Sequence, residues 1–75
     1  MQTITDTTSL GLMIREERKA QGLTQEQLAG LTGVGVRFVR ELEAGKESCQ
    51  IGRALQVATA LGLEISVGTR RENAR

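Results

Sequence analysis

Seventy-five residues carry a formal net charge of +1, one cysteine and no histidine, tryptophan, tyrosine or proline. A chain this short forms one domain at most, with a core that is marginal for a lone chain. Its single Cys49 excludes a disulfide framework, and the lack of imidazole or a second thiol argues against a zinc site. Stability must come from a partner subunit or from a compact helical core that only just suffices.

The lone thiol fits a reducing compartment. The polar start MQTITDTTS lacks the apolar segment of a secretory signal, and no apolar run approaches a membrane span. A cytoplasmic location with no membrane partner is expected. Net charge alone does not indicate nucleic acid. Residues 1–33 sum to −1, residues 34–53 to +1 and the last eight residues to +2, which is a mild gradient and not a basic patch.

Residues 1–8 read as a flexible N-terminus. The first helix is expected over roughly residues 9–21, where Leu10, Met13, Ile14 and Ala20 recur at helical spacing. Arg15, Glu16, Glu17, Arg18 and Lys19 fill most of the remaining face, and Gly22 stops the helix. Its cap is left open among Thr5, Asp6, Thr7, Thr8 and Ser9. The second helix has the best local signal. Thr24-Gln25-Glu26-Gln27 is a capping box, and Leu23 with Leu28 makes a hydrophobic staple. It should run to Leu31 or Thr32, with Gly33 permitting a sharp turn.

The third helix lies within VGVRFVRELEAGK, residues 34–46, beginning at Gly35 and ending at Gly45. Phe38, Val39 and Leu42 share one face; Val36, Arg37, Arg40 and Glu41 share the other. A fourth helix should start at Ser48 as cap, carry Ile51, Ala54, Leu55, Ala58 and Leu61 on one stripe, and end at Gly62. Then LEISV, residues 63–67, sets Leu63, Ile65 and Val67 against Glu64 and Ser66, a strand signature. A lone strand cannot satisfy its ladder, and no second strand is legible. The simplest partner is the same strand of a second copy across a twofold axis; the alternative is a tail folded onto the helices. Residues 68–75, with Arg70, Arg71 and Arg75, read as a flexible basic tail, either solvated or ordering on a partner.

Gln25, Ala29, Gly33, Val39 and Leu42 have the spacing of a helix-turn-helix over about residues 24–45. Ala29 is small where two helices must cross, Gly33 sits at the turn, and Leu28, Val34, Val39 and Leu42 fill the angle. The third helix of such a motif lies in the DNA major groove. Val36, Arg37, Arg40 and Glu41 would then face base edges and phosphates, with arginine able to bridge guanine O6 and N7 and Val36 able to meet a thymine methyl. Glu41 either accepts from a cytosine amino group or pairs with Arg37 one turn earlier, the latter being preferred. Gln25, at a helix N-terminus, and Lys46, in the following loop, are candidate phosphate contacts.

GLTQEQLAGLTGVGVRFVRELEAGK resembles the Cro/C1 (Xre) helix-turn-helix family, over roughly residues 10–67. Through IREERKAQGLTQEQLA and RFVRELEAGKESCQIGRALQVATALGLEISV it is similar to the HipB-like antitoxins within that family. The resemblance implies an all-α, lambda-repressor-like bundle of four helices over residues 9–62, with a dimerisation strand at residues 63–67. It also implies a bacterial, nucleoid-associated repressor that binds a palindromic operator of double-stranded DNA as a homodimer, autoregulates its operon and partners a HipA-like kinase toxin. Two third helices would sit about one DNA turn, roughly 34 Å, apart. Arg18 and Glu43 match positions that form an internal salt bridge in the family, so both are expected to be structural. The chain departs from the family at Gly35, where serine or threonine is usual; glycine caps at a cost of only about a few tenths of a kcal/mol but offers no hydroxyl to DNA.

Phe38 and Cys49 are read as packing residues. No cofactor or metal is expected, and no constellation of acids, bases or phosphate loop suggests an enzyme. Two other readings stay open: a stand-alone Xre-type regulator without a toxin, and a protein-interaction module that has lost DNA binding.

Overall fold

The computed structural model describes residues 3–73. Four helices form the body: α1 (Thr7–Ala20), α2 (Gln25–Thr32), α3 (Val36–Glu43) and α4 (Ile51–Ala60). A single turn, α5 (Arg70–Asn73), follows further on. Arg75 of the basic tail lies outside the described residues, as do Met1, Gln2 and Ala74.

Each start has a local cause. Asp6 caps α1: its Oδ1 accepts from the Ser9 amide at 2.8 Å, while the Ser9 hydroxyl donates back to the Asp6 carbonyl at 2.9 Å. The helix therefore starts two residues before the expected position, and Thr7 and Thr8 belong to it rather than to a loose terminus. Thr24 caps α2 as its sequence demands. The Gln27 amide donates to the Thr24 hydroxyl at 3.0 Å, and Gln27 Oε1 accepts from the Thr24 amide at 2.8 Å. Gly33 closes α2 in the left-handed region at φ 77°. Gly35 caps α3 through its backbone alone. The expected Ser48 cap of α4 is corrected to Gln50, which offers no side-chain bond; residues 47–49 form a turn that delays the helix.

α3 packs on both α1 and α2, and α2 also packs on α4. Ile14, Leu28, Val39 and Val57, one from each helix, are fully buried at the centre. Side chains of this size stabilise by about 1.5–3 kcal/mol each when buried. Ala29, Leu42, Ala54, Ala58 and Leu61 complete the core. The α4 stripe is thus rotated from its expected phase: Val57 points inward, whereas Ile51 and Leu55 are exposed. At the α1–α3 crossing, Gly11 is buried. A Cβ there would stand 2.5 Å from the Leu42 carbonyl oxygen and 2.7 Å from that of Glu43. Only hydrogen lets the two backbones approach so closely.

The expected strand is not present. Residues 63–67 carry no strand pairing. Leu63 is half-buried against the core, while Ile65 is 53% and Val67 97% exposed. Alternation supplies a strand-like face, but a strand exists only through cross-strand hydrogen bonds, and the described part of this chain has no second extended segment to provide them.

Candidate nucleic-acid interface

The helix-turn-helix geometry presents α3 with its burial on one side. Val39, Leu42 and Glu43 face inward; Arg37 and Arg40 face outward, their side chains 88% and 57% exposed. Val36, expected on the outward face, is half-buried against the core cluster, so it offers an edge rather than a whole side chain. Phe38 and Cys49 also pack partly against the core.

Ion pairs organise this surface. Glu41 accepts from Lys46 Nζ at 2.8 Å and lies 3.8 Å from Arg37 Nε. The Lys46 hydrogen bond, aided by the charges of Lys46 and Arg37, holds the Glu41 carboxyl below its ordinary pKa. Glu41 thus pairs within the chain. Arg40 Nη2 reaches Glu26 Oε2, on α2, at 3.4 Å. Glu26 is a partner that sequence spacing does not reveal, because the pair is fourteen residues apart and bridges the two helices of the motif.

Behind the surface, Arg18 and Glu43 form a buried fork. Arg18 Nε and Nη2 donate to the Glu43 carboxylate at 2.6 and 3.0 Å. Arg18 Nη1 also donates to the Leu23 carbonyl at 2.8 Å. The bond to Glu43 raises the Arg18 pKa above its ordinary value. Gln25 is drawn into the same cluster: its side-chain amide donates to Glu43 Oε1 at 3.1 Å. The Gln25 side chain is therefore half-buried and its amide committed to Glu43, which leaves the backbone at the start of α2 as the outward element. This fork ties the end of α1, the start of α2 and the end of α3 together. It fixes the angle at which α3 is presented.

Among the described residues no group of acidic, cysteine or histidine side chains could hold a metal ion, and no helix is long and apolar enough to cross a membrane. A helix-turn-helix family model matches residues 14–67. An uncharacterised HTH-type transcriptional regulator of Sinorhizobium fredii is 48% identical over 66 residues, 84% of this chain and 87% of its own. The restriction-modification controller protein C.AhdI of Aeromonas hydrophila is 38% identical, with a TM-score of 0.69 over 77% of this chain and 88% of that one. A chain of the HipA-HipB-O2-O3 complex superposes with a TM-score of 0.84 over 92% of this chain and 97% of its own, at 20% identity, a likeness of fold. Motif geometry, family match and near-half identity agree: the chain belongs to the Xre-type helix-turn-helix family.

Proposed function

We propose that the chain is a sequence-specific DNA-binding repressor. It acts as a dimer on a palindromic operator upstream of its own gene, with a HipA-like kinase as its cognate toxin. The observation that carries the DNA reading is the outward pair Arg37 and Arg40 on α3, a helix held from behind by the Arg18–Glu43 fork. Arg37 and Arg40 read bases or flanking phosphates, and Lys46 and the start of α2 hold phosphate. The Val36 edge contacts a thymine methyl. Exposed Leu55, Ile65 and Val67 supply apolar surface for a second copy. The toxin reading rests on the HipB-like sequence pattern and the shared fold.

The second reading is a stand-alone regulator without a toxin. It is favoured by the 38% identity to a restriction-modification controller protein, higher than that to the HipB structures. The neighbouring gene separates the two: a kinase-like open reading frame whose product co-purifies supports the antitoxin, and its absence supports the stand-alone regulator.

An anisotropy titration against the DNA just upstream of the gene tests the shared part, at two salt concentrations with scrambled duplex as control. Tight, salt-dependent binding of two protomers per site is expected, as is its loss in Arg37→Ala/Arg40→Ala. Equal weak binding to both duplexes would overturn the DNA reading and favour an interaction module.

A further inference from the structure

Every cation on α3 and in the loop that follows it is already paired. Arg37 and Lys46 share Glu41, and Arg40 holds Glu26. Of the ion pairs among the described residues, all except the buried Arg18–Glu43 pair lie here. Arg15 and Lys19 on α1 and Arg53 on α4 form none with the described residues. Such exposed pairs contribute little to folding, so stability does not account for their clustering on one surface. Their effect is on what approaches it. Arg37, Arg40 and Lys46 against Glu26 and Glu41 leave the surface nearly neutral, which matches the whole-chain charge of +1.

We infer that Glu26 and Glu41 are specificity-determining residues, which keep the cations of this surface in ion pairs and so depress its affinity for phosphate that arrives without matching bases. The inference rests on the DNA reading above. A phosphate backbone that draws Arg40 or Lys46 away must break an existing pair and bring its own charge beside a carboxylate. Like charges brought together disfavour wrong partners. A matched operator offsets that cost because a freed carboxylate such as Glu41 can accept from a cytosine amino group, a contact the Gln variant loses in part; a random duplex has no such return. Glu41 acts on two cations from one position. Glu26 acts across the motif, so the pair also records the α2–α3 geometry.

Glu26→Gln and Glu41→Gln test this against random duplex, heparin and the upstream DNA, with Glu16→Gln on α1 as a control that removes the same charge elsewhere. Circular dichroism should be unchanged in all three. Each reading-face variant should bind random duplex and heparin about three- to tenfold more tightly at 50 mM salt. One released phosphate contact should make that gain shrink about 3.5-fold by 200 mM, since each adds about −0.9 to the salt slope. Upstream DNA should gain less, so the ratio of matched to random affinity falls. The control should change little. Unchanged random-duplex and heparin affinity, or an equal gain in Glu16→Gln, overturns the inference. A wild-type protein that shows no preference for upstream DNA overturns the operator reading instead, and the heparin series still decides the role of the two carboxylates.

Discussion

Arg18 and Glu43 are the charged side chains that reach the core among the described residues, each 8% exposed. Removing one partner of such a pair strands the other away from water. Glu43→Ala should therefore lower the unfolding free energy by about 3–5 kcal/mol, read by urea denaturation, and Arg18→Met/Glu43→Leu should recover most of the loss. Two other carboxyls make acid sensitivity predictable. The Ser9 amide lowers the Asp6 pKa, and the Lys46 hydrogen bond lowers that of Glu41. A carboxyl whose folded pKa is depressed contributes stability above its unfolded value and loses that contribution as pH falls through the folded one. Both groups face solvent, so their contribution is small: the thermal midpoint should decline only slightly on their account below about pH 4.5, and Asp6→Asn/Glu41→Gln should remove that shallow part of the acid limb; an unchanged limb would remove both groups from the account. At this scale the sequence shows the outward arginines and one of their partners. The Glu41 pairing follows a helical spacing rule. Glu26–Arg40 and Gln25–Glu43 span fourteen and eighteen residues, and no local rule reaches that far.

α2 is the most legible element because its capping box and staple lie wholly within six residues, 23–28, and the structure reproduces both box bonds. The start of α1 is not legible in the same way, since several adjacent polar residues could each cap it; the reciprocal Asp6–Ser9 bonds select Asp6. α4 was misphased because Ile51 and Leu55 look like core residues, whereas the helices they would face have already filled the centre with Ile14, Leu28 and Val39. The α1–α3 crossing left no sequence signal beyond a glycine inside a helix. Glycines separate clearly by surroundings. Gly11→Ala forces a methyl onto two carbonyl oxygens and should cost about 1–3 kcal/mol. Gly30→Ala and Gly52→Ala meet open space in helices and should each stabilise by about 0.5–1 kcal/mol. Thermal melts of the three variants check the signs; a stabilising Gly11→Ala would mean that the helices cross less closely.

For the whole molecule, length limits the chain to one domain at most, and the periodicities place its four main helices. The dimer strand rests on alternation and on the family resemblance. Alternation is a property of one chain, while a ladder is a property of two, so residues 63–67 could not be settled from within the sequence. The proposed dimer has its own test. Its thermal midpoint should rise with protein concentration, by about 1.4 kcal/mol of unfolding free energy per dimer for each tenfold increase. Leu55→Arg/Ile65→Arg should abolish that dependence and halve the mass seen by light scattering. A wild-type monomer at high concentration would remove the dimer from the proposal.

α3 has eight residues, which makes it about 12 Å long. Set along a major groove that advances about 3.4 Å per base pair, it overlooks only three or four pairs. Each pair distinguished fully conveys about two bits, so two such helices convey roughly fourteen. A sequence carrying so little information recurs by chance about once in sixteen thousand base pairs, and a genome offers about a million or more competing positions. Under the proposed function, a single copy of the motif is therefore too brief an address. Selectivity has to be completed by groove width and bendability in the flanking DNA, or by several operators filled together. Footprints longer than the paired half-sites are the expected mark of that supplement.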